Sequence, residues 1–265
     1  SLLEPSFGGG RFVFTAVDRL LEAWHSAGGS DPLELKDAVR AVELDTDTYE
    51  EFRVKLHEHL TLRGIAVGPA QELVDAWLLH KDFLLVDLPL RFDVVVGNPP
   101  YVRQELIPDE LLTMYRSLFK SMVGRADLYV AFMERSLDLL KDGGKLSFIC
   151  ADAWVKNDYG RGIRQKIADG FNLATYVDMY GLDAFEVQVG AYPSITVIER
   201  APLADVRVAH ASGVDQSYLK ALCADLLAPV STSPDVSVLS AVRGAQPWLL
   251  STSPSLQVIA DLEAR

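Results

Sequence analysis

Two cysteines in 265 residues, Cys150 and Cys223, give no disulfide framework, and Cys150 lies in an apolar, strand-like run that reads as a buried thiol. The five histidines (His25, His57, His59, His80, His210) show no metal-ligand spacing. His57 and His59 are two apart and point to different faces of a helix, so no metal site is expected. No apolar run reaches the ~18 residues that span a membrane, and no signal peptide is visible. A cytoplasmic protein without a membrane partner is expected. Positive charge is scarce too: 25 Lys and Arg stand against 37 Asp and Glu, a net charge of −12. Duplex DNA is gripped mainly through Lys and Arg contacts to phosphate. Such a chain either does not bind DNA or leaves most of the basic surface to sequence not present here.

Hydrophobic residues make up 49% of the chain, enough for one large α/β domain and a smaller appendage. Ser1 to Glu4 reads as the end of a strand. Pro5-Ser6-Phe7-Gly8-Gly9-Gly10 follows as a glycine-rich turn, and Val13, Ala16, Val17, Leu20, Leu21 and Trp24 then recur at helical spacing up to Gly28-Gly29. Strand, glycine loop and helix make the first unit of a nucleotide-binding α/β fold. Glycines let the backbone approach a ligand, and the helix N-terminus presents free N–H groups. Val39 to Leu44 reads as a second strand ending in Glu43 and Asp45, and a carboxylate there suits the two hydroxyls of a ribose.

Helices are predicted from Thr46 or Asp47 to about Arg63 and over Pro69 to Leu79, with a short third strand around Asp82-Phe83. Further strands are predicted over Phe92 to Gly97, Lys145 to Ala151, Leu173 to Tyr180 and Pro193 to Glu199. Helices fall over Pro108 to Met122, Leu128 to Lys141 and Gly162 to Gly170. The alternation predicts an α/β fold with a mostly parallel, seven-stranded sheet and helices on both faces. Past residue 200 the texture changes. One more strand is read over Val206 to His210 and a helix over Asp215 to Leu227, and two STSP runs, at 231–234 and 251–254, read as helix starts. The expected organisation is a catalytic domain over 1–200 and a C-terminal extension over 201–265.

The run Phe92 to Tyr101, FDVVVGNPPY, carries the most chemistry. Val94, Val95 and Val96 read as a buried parallel strand that ends in Gly97. Asn98-Pro99-Pro100-Tyr101 cannot continue it, because each proline lacks an N–H and fixes φ. A stiff loop is thereby placed at the carboxyl end of a central strand, where open α/β sheets bind ligands. The Asn98 amide oxygen and the Pro99 carbonyl are two acceptors on one rigid frame, suited to an exocyclic –NH2 group. Tyr101 adds an aromatic face on which an unpaired base can stack. Taken alone, the same four residues also describe a proline-stiffened turn with a packed tyrosine.

Asn98-Pro99-Pro100-Tyr101 resembles the catalytic motif of S-adenosylmethionine-dependent amino-methyltransferases. It is most similar to that of the adenine-specific (N6) DNA methyltransferases of bacterial type II and IIG restriction–modification and phage-defence systems. The resemblance covers roughly residues 2–200 and is carried by several pieces in order. It implies a Rossmann-like class I methyltransferase fold. Leu3 to Gly10 resembles the cofactor loop, with Glu4-Pro5 and Gly8-Gly9-Gly10 where many members carry Asp-Pro and Gly-x-Gly, and implies a cradle for the methionine part of S-adenosylmethionine. Val42 to Asp45 resembles the ribose-binding motif, with Glu43 on the hydroxyls. Lys81 to Leu84 resembles the adenine-binding motif, with Asp82 taking the cofactor's amino group and Phe83 packing on the ring. Asp127-Leu128-Tyr129, Gly143-Gly144, the KLSFICADAW strand and Tyr159 to Arg164 resemble the next two blocks. Phe185 stands where the family places a second aromatic against the flipped base. Read singly, each piece has a plainer meaning: a common turn for Gly8–Gly10, a solvated carboxylate for Glu43, a core ring for Phe185.

The implied reaction is methyl transfer from S-adenosylmethionine to N6 of an adenine flipped out of double-stranded DNA. Lys156, Arg161 and Arg164, with Lys166, form the one local basic cluster. It is either a phosphate contact or a solvated helix face. Protein-glutamine or RNA amino-methyltransferases share this kind of loop, and an acidic chain suits a protein substrate. N4-cytosine transfer stays open. A further alternative is an inactive cofactor-binding or scaffolding piece. The resemblance also implies partners on the same polypeptide: N- and C-terminal segments not present here, including a target-recognition region, with a fused nuclease left open. Weak cofactor binding and little activity are expected of these residues alone.

Overall fold

A computed structural model of the chain describes residues 1–182 and 193–250. In chain order the elements are β1 (Leu2–Glu4), α1 (Arg11–Ser26), β2 (Val39–Glu43), α2 (Thr46–Leu62), α3 (Val67–Trp77), β3 (Leu78–His80), β4 (Phe92–Gly97), α4 (Asp109–Leu118), α5 (Leu128–Asp138), β5 (Leu140–Ala151), α6 (Ala153–Lys156), α7 (Arg161–Gly170), β6 (Asn172–Asp178), β7 (Pro193–Glu199), β8 (Val206–His210), α8 (Gln216–Leu227) and β9 (Val236–Leu239). Local chemistry sets several of the ends. Asp45 caps α2 by accepting from the Thr48 N–H at 2.8 Å, and Asp215 caps α8 by accepting from the Tyr218 N–H at 2.9 Å.

The strands form one sheet in the order β3-β2-β1-β4-β5-β7-β6-β8-β9. β7 pairs antiparallel with both β5 and β6, β9 antiparallel with β8, and every other pair is parallel. Strand order reverses between β1 and β4, since β1 leads outward to β2 and β3 on one side while β4 lies on the other. Such a switch point opens a crevice at the carboxyl ends of the two strands. The period-two alternation of a strand then separates two cores. On β2, Val39 and Ala41 join Val13, Val17, Phe52, Leu56 and Trp77 on one face, and Val42 joins Phe83, Val95, Tyr129 and Phe148 on the other.

The sheet has nine strands among the described residues rather than the seven expected. β8 was legible in the sequence, whereas β9 was not. It follows Ser231–Pro234, which does not start a helix. Asp225 instead gathers the Ser231 hydroxyl and the Thr232 and Ser233 N–H groups into a turn. Residues 201–250 thus continue the same sheet, and Trp248 and Leu250 are buried in the larger core. The third strand is also displaced from its expected position. α3 runs straight into Leu78–His80, which pair with Ala41, Val42 and Glu43 of β2, and Asp82-Phe83 fall in the turn after it. α5 stops at Asp138, and β5 starts at Leu140 with a bulge opposite Phe92 and Val94 that absorbs Gly143 and Gly144. No helix among the described residues is long and apolar enough to cross a membrane.

Candidate active site

The glycine loop after β1 is fixed from both ends. Phe7 donates to the Val42 carbonyl at 3.1 Å and Gly10 to the Phe7 carbonyl at 2.7 Å. Gly10 caps α1 in the left-handed region, φ 72°, and a Cβ there would lie 1.7 Å from the buried Phe52 ring. Only glycine suits that position. The Gly8 N–H donates to Glu43 Oε2 at 2.9 Å, and Glu43 Oε1 accepts from the Leu44 and Asp45 N–H groups at 2.8 and 3.0 Å. Three backbone donors therefore hold the Glu43 carboxylate at the carboxyl end of β2.

Glu4, at the end of β1, is 1% exposed. Its Oε1 accepts a long 3.4 Å bond from Ser6 N–H, and its Oε2 has no hydrogen-bond partner among the described residues. The carboxyl lies against Gly97 of β4, where a Cβ would approach Oε1 to 2.3 Å. Burial raises its pKa well above the usual carboxylate range, and the nearby Glu43 adds to the rise. One residue past Gly97, the buried Asn98 Oδ1 also has no partner among the described residues. Adjacent strands β1 and β4 thus end in two buried polar side-chain atoms that have no hydrogen-bond partner among the described residues.

Asp82 is anchored at both oxygens. Oδ1 accepts from the Leu84 N–H at 2.8 Å and Oδ2 from the Tyr115 hydroxyl at 2.6 Å. Phe83 is 2% exposed, with its ring 5.1 Å from that of Phe132 and the Arg135 guanidinium 5.3 Å over it. Arg135 also donates to the Leu84 and Val86 carbonyls, so this turn is braced from α5. Between these pieces opens a cleft of about 430 Å³ whose lining includes Pro5, Glu43, Asp82, Phe83, Pro100 and Tyr115. A larger cleft, about 650 Å³, lies among Asp142, Gly143, Phe171 and Arg200, where β5 and β6 begin, and is lined by none of the described residues expected to bind the cofactor or the target base.

The structure therefore brings Pro5, Glu43, Asp82, Phe83 and Pro100 onto one surface. Gly8 enters it through the bond to Glu43, Gly10 serves the turn, and Glu4 lies buried against Gly97. Tyr101 is half-buried. Its hydroxyl donates to the Ile149 carbonyl at 3.3 Å, its ring centre is 6.3 Å from that of Tyr129, and burial raises its pKa. Tyr129 and Tyr159 share a 3.0 Å hydroxyl contact, with burial pushing Tyr159 up to about 12. The Leu128 N–H donates to the Val102 carbonyl at 3.0 Å. The Asp127–Tyr129 and Tyr159 pieces are thus gathered behind the Asn98–Tyr101 loop. Phe185 lies outside the described residues.

The basic cluster needs correction. Arg164 is 1% exposed, and its guanidinium donates to the carbonyls of Trp154 (2.6 Å), Asn157 (2.8 Å) and Ala245 (2.9 Å). It stitches α6, α7 and the 240–250 segment together and cannot reach a phosphate. Lys156 is exposed and pairs with Asp152 at 2.5 Å, Lys166 pairs with Asp138 at 2.7 Å, and Arg161 is exposed. Tyr115 was not singled out in the sequence. Its apolar neighbours Leu111 and Phe119 mark the inward face of α4, but nothing local points to Asp82, 33 residues away.

This sheet order, with its crevice between β1 and β4, defines the class I S-adenosylmethionine-dependent methyltransferase fold. A putative class I S-adenosylmethionine-dependent methyltransferase from Listeria monocytogenes superposes with a TM-score of 0.57 at 20% identity, over 85% of this chain and 62% of that one, a likeness of fold alone. Residues 41–185 match the Eco57I restriction-modification methylase family, and the chain belongs to that family. It is 45% identical to the type II methyltransferase M.PaeR7I of Pseudomonas aeruginosa, over 99% of this chain and 46% of that protein. It is 38% identical to the type II methyltransferase M.XhoI of Xanthomonas vasicola, over 99% of this chain and 50% of that protein. The chain spans about half the length of these curated relatives.

Proposed function

We propose that this chain is the catalytic core of a restriction–modification DNA methyltransferase that transfers a methyl group from S-adenosylmethionine to the exocyclic N6 amine of an adenine flipped out of duplex DNA. The observation that carries the proposal is Asn98 Oδ1, buried and without a partner among the described residues at the carboxyl end of β4, on a proline-stiffened loop beside the cleft. The family and the type II methyltransferase relatives support it. The cleft fits the cofactor in its donor set. Glu43 would accept from the ribose hydroxyls, Asp82 from the adenine amine, and the Phe83 turn would border the ring. Glu4 and the Gly8–Gly10 loop would lie toward the methionine end.

Bound there, S-adenosylmethionine supplies an electrophilic methyl group on a cationic sulfur. The residues' task is to make a poor nucleophile ready. The amine's lone pair is delocalised into the adenine ring. Asn98 Oδ1 and the Pro99 carbonyl, each accepting one N–H, would hold the nitrogen toward a tetrahedral shape with the lone pair free. The proton leaves after attack, so no strong base is required of the loop. Tyr101 would stack on the extruded base, with Phe185 opposite it. Lys156 and Arg161 remain the phosphate candidates. Most of the duplex grip, and the choice of target sequence, belong on this reading to parts of the protein corresponding to the other half of its relatives.

The test is transfer of labelled methyl by the whole protein, with the parts that correspond to the other half of its relatives, to duplex DNA, to single-stranded RNA and to protein, with nucleoside analysis of the product. N6-methyladenine from duplex DNA is expected. Asn98→Ala should abolish transfer while S-adenosylhomocysteine affinity is kept. Undiminished turnover in that variant, or label found only in protein, would overturn the proposal.

A further inference from the structure

Tyr115 is the one buried residue of α4, the helix that follows the Asn98–Tyr101 loop. Leu111 and Leu112 pack against the core from its first turn, while Met114 and Leu118 are about half exposed. Yet the Tyr115 hydroxyl reaches the turn after β3 and donates a 2.6 Å bond to Asp82 Oδ2, while Asp82 Oδ1 accepts from the Leu84 N–H. Both residues line the cleft. Arg116, the next residue on α4, donates to Gln104 Oε1 and to the Gly124 carbonyl, and so fastens α4 to the segments on either side of it. Nothing in the proposed chemistry uses the Tyr115 phenol. Burial, and the Asp82 carboxylate beside it, hold it firmly protonated, so it is a permanent donor.

A carboxylate that must read a ring amine needs a fixed rotamer. The Leu84 bond fixes one oxygen only, and rotation about the last side-chain torsion would carry Oδ2 out of line. The Tyr115 hydroxyl removes that freedom and leaves the second lone-pair site of Oδ2 for a ligand donor.

We propose that Tyr115 is a positioning residue that sets Asp82 for the 6-amino group of the cofactor's purine, and so determines selectivity for adenosyl over 6-oxopurine cofactors. This inference rests on the assignment of Asp82 to the purine amine. Because Tyr115 sits on α4, the same bond ties the helix after the Asn98–Tyr101 loop to the end of the cleft assigned to the purine.

The experiment compares calorimetric affinities of S-adenosylhomocysteine and S-inosylhomocysteine for the wild-type protein and for Tyr115→Phe, which keeps the buried ring and loses only the hydroxyl. The 6-oxo group of inosine presents an acceptor where adenine presents a donor. The wild type should prefer the adenosyl ligand strongly. In Tyr115→Phe that preference should fall by about tenfold, the order expected for loss of one charge-assisted bond, while inosyl affinity stays unchanged. A ratio of two ligands on one variant does not register a general loss of folded protein. A wild type that fails to discriminate would sink the Asp82 assignment itself. Discrimination in the wild type that persists undiminished in Tyr115→Phe would overturn the role of Tyr115 alone.

Discussion

Glu43→Gln is the substitution on which the geometry speaks most directly. The carboxylate is buried and accepts three backbone N–H bonds, two on Oε1 from Leu44 and Asp45 and one on Oε2 from Gly8. Glutamine offers one oxygen and one NH2 group in the same space. With the nitrogen toward Leu44 and Asp45, two bonds are lost. With it toward Gly8, one is lost, and a donor then faces a donor across 2.9 Å. The second orientation is the cheaper. Each bond to a charged acceptor contributes about 1.5–3 kcal/mol, and the two survivors become weaker neutral bonds. Relief from burying a negative charge near Glu4 returns part of this, so the net loss expected is about 2 kcal/mol. Urea unfolding of the ligand-free protein at neutral pH measures it, as a lower midpoint at constant slope. On the proposed function S-adenosylhomocysteine affinity should fall as well, because the loop that Glu43 holds and the oxygens offered to the ribose change together. A stability change below about 0.5 kcal/mol would refute the reasoning, since it would mean that the three bonds are not made in solution.

Glu4→Gln should act in the opposite sense. The folded-state pKa of Glu4 is raised by burial, so the folded protein holds this proton more tightly than the unfolded chain. The stabilisation is complete below the ordinary glutamate range and is lost as pH rises through the raised value. The neutral glutamine should therefore gain stability over the wild type in urea unfolding as pH rises above the ordinary glutamate range, and parallel pH profiles would contradict this. Gly10→Ala meets both a left-handed backbone and the Phe52 ring 1.7 Å away, and should cost about 2–5 kcal/mol, whereas Gly9→Ala, with nothing within 4 Å of its Cβ, should cost under about 1 kcal/mol. Equal thermal midpoints for the two variants would count against the loop geometry.

Where the sequence was legible, the signal was local or periodic. Val13, Val17 and Leu21 point inward from α1 as their spacing predicts, FDVVVG is the central strand β4, and Glu43 ends β2 facing the cleft. Errors fall where tertiary bonds decide. β3 has only three residues and follows α3 with no turn residue between them, so neither composition nor periodicity marks it. Asp82-Phe83 looked like a strand because the chain there is apolar, but the Asp82 side chain takes the Leu84 N–H and makes a turn. Arg164 sits three residues after Arg161 and reads as part of a basic face. On α7 it instead shares the inward side with Ile163 and Ile167, and three distant carbonyls replace water around it. Tyr115 was invisible for the same reason, since its partner lies in another part of the chain.

The charge balance, awkward at first for a DNA enzyme, has a local logic once the site is in view. The cleft rim carries Glu43, Asp45 and Asp82 with Lys81 as its cation, and Glu4 lies buried close by. A cofactor with a cationic sulfur and an amino group is drawn to such a surface, while DNA phosphates are repelled from it. The two demands conflict only over distances shorter than the screening length, about 10 Å at 0.1 M salt. On the proposed function, a base that leaves the duplex to reach Asn98 would bring an uncharged edge to the acidic cleft and leave its phosphates outside it, and the candidate cations Lys156 and Arg161 are exposed but are not among the residues that line that cleft. With Lys156 paired to Asp152, Lys166 to Asp138 and Arg164 buried, the α6–α7 cluster alone offers too little positive charge to hold a duplex at physiological salt. On the proposed function, then, base capture and duplex grip are separate tasks. On that reading an acidic surface that favours the cofactor is compatible with DNA modification because the phosphates would be held by other parts of the protein.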